Sequence, residues 1–192
     1  MRYVPGMSRT RLVLIALLFA AGCTGGDGGA SDGTPTATPT PTPDEPAGLE
    51  GVTAAHNDVR AGVGVGPIAW NAALAATAQA WAEACVDTTA PSGLIDHNPN
   101  RSDGHPYYVG ENIYGSSGGA SGVDAVALWS AEVAYYDYDT NSCTGVCGHY
   151  TQIVWAASIE VGCGLATCAG LTYGSTVVCN YGPGGNSGGR PY

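Results

Sequence analysis

The chain has 192 residues with six arginines, no lysine and sixteen acids, a net charge of −10 and a pI near 4.4. So acidic a surface argues against nucleic acid and anionic lipid headgroups as partners. Seven cysteines in a chain that is 44 % hydrophobic argue against a disordered polypeptide.

The chain opens on a basic head, Arg2, Arg9 and Arg11, followed by an apolar run from Leu12 to Ala21. That run suits a signal-peptide core and is too short to span a bilayer as a permanent helix. Ala20, Ala21 and Gly22 lead into Cys23, a pattern that resembles a bacterial lipobox, with Ala20 where leucine is commoner. Residues 1–22 are therefore read as a signal peptide and Cys23 as lipidated, giving the exported chain a membrane anchor at the cell envelope. The alternative is an ordinary signal peptide cut at the same small residues, which releases a secreted protein. Residues 23–47, with a TPTATPTPTP run at Thr34–Pro43, have too little apolar surface to offset the entropy of ordering and read as a spacer. Residues 48–192 are the size of one domain, and its only cations are Arg60, Arg101 and Arg190.

Within that domain, Leu49–Ala61 sets Leu49, Val52, His56 and Val59 at helical spacing, and a glycine-rich run to Pro67 ends the helix. Asn71 caps a second, alanine-rich helix reaching Cys85, with Leu74, Ala78 and Trp81 on one stripe. Val86–Tyr108 reads as loop and Tyr107–Tyr114 as a short extended segment. A third helix is predicted from Gly122 to about Tyr138. Tyr150–Ala156 and Thr172–Tyr181 read as strands from their β-branched and aromatic content, with Ser158–Ala166 a further candidate. Helices first and strands mostly later predict an α+β domain.

Apart from Cys23, six cysteines remain: Cys85, Cys143, Cys147, Cys163, Cys168 and Cys179. An even number in an exported domain reads as three disulfides, with the pairing left open by spacing alone. The spacings do not repeat the knuckle pattern of zinc–thiolate sites.

The strongest local signal is the run Cys147-Gly148-His149-Tyr150-Thr151-Gln152-Ile153-Val154-Trp155. His56-Asn57 with Arg60, Gly110-Glu111-Asn112, Trp129 with Glu132, and Cys179-Asn180-Tyr181 accompany it in a fixed order. Together these segments resemble the CAP superfamily (cysteine-rich secretory, antigen 5 and pathogenesis-related class-one proteins), most closely the plant branch. The resemblance runs from about Leu49 to the C-terminus. It implies an α-β-α sandwich stapled by Cys85–Cys168, Cys143–Cys147 and Cys163–Cys179. It also implies a cavity tetrad of Glu111, Glu132, His149 and an upstream histidine, with His97 preferred to His105. Asn98 stands where the family usually has serine after that histidine.

Two neutral imidazoles can hold Zn²⁺ weakly while the carboxylates orient a bound water or accept its proton. The same four residues also make sense as a hydrogen-bonded network without metal. His56 and Arg60 read as a structural pair that ties the first helix to the sheet. Tyr135, Tyr136, Tyr138 and Tyr150 read as core or rim packing, with a ligand groove as the alternative. The resemblance implies an extracytoplasmic binding module, with sterol or another lipid as the associated ligand class. The alternatives are a zinc-assisted hydrolase with Glu111 or Glu132 as general base, and an adhesive surface module with a vestigial cleft. No serine or cysteine nucleophile stands out, since the GGASG run at Gly118–Gly122 has slipped spacing.

Overall fold

In the computed structural model, which describes residues 44–192, Glu45 closes the open N-terminus of the first helix. Its two carboxylate oxygens accept the Gly51 and Thr53 N–H groups at 2.6 and 2.8 Å. The predicted signal segment, Cys23 and the spacer before Asp44 lie outside the described residues. In chain order the elements are α1 (Val52–Gly62), β1 (Ala69–Trp70), α2 (Ala72–Ala84), β2 (Gly110–Ser116) and α3 (Gly122–Ala131). A 3₁₀ turn (Glu132–Tyr135) follows, then β3 (Tyr136–Asp137), β4 (Ser142–Cys143), α4 (Gly148–Ile153), β5 (Glu160–Thr167) and β6 (Ser175–Gly182).

The main sheet has the order β1-β5-β6-β2, antiparallel except for the short parallel pair β1–β5. Alternation along β6 divides the core. Val177, Cys179 and Tyr181 pack with Val52, Val126, Trp129 and Ile153 from α1, α3 and α4, whereas Val178 packs with Ala78 and Ala82 of α2. This is the α-β-α sandwich with its sheet in the middle. α2 lies so close to β5 that a Cβ on Gly162 would come within 2.2 Å of the Ala75 amide nitrogen, and one on Gly164 within 2.3 Å of Gln79 Cα. Asn71 caps α2 as its sequence predicts, accepting from the Ala73 and Leu74 N–H groups.

Three disulfides link Cys85 to Cys168, Cys143 to Cys147 and Cys163 to Cys179. The first joins the end of α2 to the end of β5, and the third crosses the β5–β6 pair. Disulfides of this number place the domain in an oxidising, extracytoplasmic compartment.

Two predicted elements are corrected. Tyr150–Ala156 is no strand: Gly148–Ile153 is the helix α4. Tyr150, Thr151, Gln152 and Ile153 are all buried, so their bulky, β-branched character serves core packing, and tertiary contact overrides strand propensity. The third helix stops at Ala131, not near Tyr138, and the chain turns through the 3₁₀ segment into the β3–β4 hairpin. Glu132 begins that turn and spends its carboxylate on α4 instead of its own helix. The short strand β1 carried no strand pattern in the sequence, because two residues are too few for alternation to register.

Arg60 is fully buried, and its guanidinium makes four hydrogen bonds. Its guanidinium donates to the carbonyls of Gly66, Ile153, Trp155 and Ser158 at 2.7–2.9 Å, tying α1 to the chain leaving α4. Burial pulls its pKa below the ordinary arginine range. Arg60→Met should cost about 3–5 kcal/mol, because it strands several buried carbonyls. Equilibrium urea unfolding at neutral pH checks this, with Arg60→Lys expected to recover only part of the loss.

His56 reports on the other end of α1. Its Nδ1–H donates to the Val52 carbonyl at 2.8 Å, and Nε2 accepts the Tyr181 hydroxyl at 2.8 Å. Desolvation is the largest influence and pushes the His56 pKa down to about 4. The unfolded chain therefore binds a proton that the folded chain refuses between pH 6.5 and about 4. His56 leaves stability intact above pH 6.5, and stability falls as the pH drops from there toward 4, by about 3 kcal/mol in all. Urea midpoints across that range should show the decline, and His56→Gln should flatten it.

Candidate functional site

The cleft is assembled from two histidines, each held from behind by a carboxylate. His149 is the second residue of α4. Its Nδ1 lies 2.6 Å from Glu132 Oε1, while Glu132 Oε2 accepts the backbone N–H groups of His149 and Tyr150 at 2.9 and 3.2 Å. No side chain of α4's own N-cap does this work, so Glu132 is a cap delivered from the preceding 3₁₀ turn. Trp129 lies against the same imidazole, with ring centroids 6.0 Å apart and planes 16° from parallel. On the backbone side, Asn112 Nδ2 donates to the His149 carbonyl at 3.0 Å and to the Tyr181 hydroxyl at 3.1 Å.

His97 leaves the loop between α2 and β2 with its side chain 58 % exposed. Its Nδ1 sits 2.7 Å from Glu111 Oε1, which also accepts the Asn98 N–H at 2.9 Å. The Glu111 side chain is wholly buried on β2, and its Oε2 has no hydrogen-bond partner among the described residues. Beside it across the sheet, Asn180 is buried with both amide atoms unpartnered. His105 is elsewhere: it faces Thr77 at 3.2 Å and stacks on Tyr107. Of the two upstream candidates, His97 is therefore the one beside Glu111.

Both carboxylates are acceptors, so each Nδ1 carries its imidazole's proton and each Nε2 keeps a lone pair. Neither Nε2 has a protein partner among the described residues. His97 and His149 line the same cavity, which has a volume of about 670 Å³. Leu94, Ile95, Ile113 and Tyr173 supply most of its apolar wall, and Asp96 adds a carboxylate. Among the described residues, no group of three or more His, Cys, Asp and Glu side chains is placed to hold a metal ion. The donor set open to a cation is thus two imidazoles, with the glutamates acting on their far sides.

His149 directly precedes the strand predicted at Tyr150–Ala156, whereas in the fold a helix carries it. The sequence reading passed over Asn98, Asn112, Asn180 and Tyr181 as site residues, although Asn112, Asn180 and Tyr181 lie inside quoted motifs. His56 and Arg60 stand outside the cleft, both buried. Tyr135, Tyr136 and Tyr138 line one pocket, and Tyr150 lies outside it. Tyr150 is a core residue whose hydroxyl meets that of Tyr192 at 3.2 Å, Tyr138 stacks on Tyr192, Tyr136 is half-buried in the β3–β4 hairpin, and Tyr135 is exposed.

Comparison with known proteins places these features in context. The family model of the cysteine-rich secretory protein family (CAP) matches residues 53–181. Pathogenesis-related protein 1 of Arabidopsis thaliana is 46 % identical over 133 residues, covering 69 % of this chain and 74 % of that protein. The venom allergen-like protein 4 of Schistosoma mansoni superposes with a TM-score of 0.61 at 28 % identity, over 77 % of this chain and 94 % of that one. The structure of NaASP2 with Zn²⁺ superposes with a TM-score of 0.55 at 26 % identity, over 73 % of this chain and 82 % of that one.

Removing the Glu132 carboxylate should loosen the His149 side of the cleft before it affects the rest of the domain. Glu132→Ala is expected to cost about 1–2 kcal/mol through the lost cap. It should also let the Nε2–H tautomer of His149 appear beside Nδ1–H, which ¹⁵N imidazole shifts measure directly.

Proposed function

Because the chain belongs to the cysteine-rich secretory protein (CAP) family, we propose that it is an extracytoplasmic binding module whose His97/His149 cleft takes a divalent cation. The observation that carries this reading is the shared geometry of the two imidazoles. Each is fixed through Nδ1 to a carboxylate, and each leaves Nε2 free in one cavity. Carboxylate–histidine pairs of this kind fix the tautomer and raise the basicity of the ligating nitrogen. Zn²⁺ suits the pair, since it is borderline-soft and accepts imidazole nitrogen. Two protein ligands make the affinity modest, with water completing the coordination. The related NaASP2 structure, with Zn²⁺, supports the choice of ion.

The apolar wall of Leu94, Ile95, Ile113 and Tyr173 supports an apolar partner beside the ion, such as a sterol or another lipid. Binding is favoured over hydrolysis because both Glu132 oxygens are engaged with His149 Nδ1 and backbone N–H groups, while Glu111, whose Oε2 alone is unpartnered, is wholly buried. Lipidation of Cys23 completes the proposal, holding the domain at a membrane.

Calorimetric titration of the oxidised domain with Zn²⁺ tests the cleft. Saturable binding is expected in the native protein and should be lost in a His97→Ala/His149→Ala variant that retains its unfolding midpoint. Unchanged binding in that variant would remove the histidines from the site.

A further inference from the structure

The cleft has a second chemical feature, which is the free edge of β2. In an antiparallel pair, alternate residues turn both backbone groups toward the partner and the others turn them away. The Gly182 carbonyl accepts from Ile159 N–H at 2.9 Å, so even-numbered residues of β6 face β5 and odd-numbered ones face β2. Through the register Gly110↔Tyr181, Asn112↔Cys179, Tyr114↔Val177 and Ser116↔Ser175, β2 uses its even-numbered residues to pair with β6. Glu111, Ile113 and Gly115 therefore direct their N–H and C=O groups outward. An independent contact agrees, since Trp129 Nε1–H donates to the Ile113 carbonyl at 3.3 Å from the side away from β6.

Apart from that one carbonyl, the outward groups of these three residues have no hydrogen-bond partner among the described residues. Backbone groups with no partner in the fold require water or a ligand. β2 ends the sheet, and Ile113, on this edge, lines the same cavity as His97 and His149. The wall beside the edge combines apolar side chains with Asp96, whose Oδ2 is fixed by the Thr88 and Thr89 N–H groups and the Thr88 hydroxyl. A fixed anion in a domain without lysine complements a cationic side chain.

We propose that β2 is a docking edge for an extended cationic peptide, which adds as a fifth strand across the cleft. Its backbone pairs with Glu111, Gly115 and the Ile113 N–H, while the Ile113 carbonyl stays with Trp129. Its alternate side chains reach the apolar wall of Leu94 and Tyr173, with a lysine or arginine near Asp96. The strand needs no metal, so its fate is separable from that of the proposed cation site.

The test uses the oxidised protein and a capped heptapeptide of alternating valine and lysine, in chelator and again with Zn²⁺. Saturable binding in chelator is expected, with amide exchange slowed at Glu111, Ile113 and Gly115 but not at Asn112 or Tyr114. N-methylating the peptide at one alternate set of residues should weaken binding at least about tenfold, and at the other set should leave it unchanged. Replacing the lysines by glutamates should weaken it as well. Absent binding, equal effects of the two methylated sets, or no protection at those three amides would overturn the proposal. Concentration-dependent dimerisation that protects the same amides without peptide would also overturn it, by assigning the edge to a second copy of the chain. Loss of Zn²⁺ binding alone would leave it standing.

Discussion

The Tyr181 hydroxyl is the point through which the layers of this protein hold one another. It donates to His56 Nε2 on α1 and accepts from Asn112 Nδ2 on β2, while its own ring is buried in the sheet core. Burial makes each of these bonds obligatory, because an unsatisfied hydroxyl, imidazole or amide inside the core costs more than a bond contributes. The same burial leaves Tyr181 and His56 neutral at ordinary pH: desolvation raises the tyrosine, outweighing the opposing Asn112 donor, and lowers the histidine. Asn112 then spends its second N–H on the His149 carbonyl. One side chain thus fixes both the interior network and the backbone of a cleft residue.

Arg60 and the disulfides anchor the segments around the cleft. α4 has only six residues and could not persist alone. Glu132 caps its first turn, the Cys143–Cys147 pair anchors the chain just before it, and Arg60 holds the carbonyls where it ends. His149 is therefore presented by a helix whose every end is fixed by another element. His97 is on a loop, and its orientation depends on Glu111, which is rigid because it belongs to a strand paired along seven residues. The two imidazoles share a tautomer for the same reason, although their carboxylates come from unrelated parts of the fold.

Much of this was legible from local pattern. Asn71 announced the start of α2, and the alanine-rich stripe behind it matched the close approach to Gly162 and Gly164. The ordered motifs carried the family and the α-β-α sandwich. What the pattern misread was α4, since Tyr150, Thr151 and Ile153 have the composition of a strand and earn burial in a helix. The preference for His97 over His105 rested on the family resemblance, since both lie in a loop without periodicity. The places of Asn98 and Asn180 beside Glu111 were not legible, because an asparagine's importance depends on which buried group faces it.

Cysteine parity, the helix periods and the family motifs could all be read from the chain alone, because each belongs to residue types and their spacing. The acidic balance of the chain is equally a matter of composition. Only the tertiary structure decided which histidine meets Glu111, where Glu132 spends its carboxylate, and which edge of the sheet is left unpaired. Those outcomes depend on strand register and on helix placement, which bring residues far apart in the chain within hydrogen-bonding distance. No local spacing encodes a contact such as His56 to Tyr181, which spans 125 positions and exists only once the layers have packed.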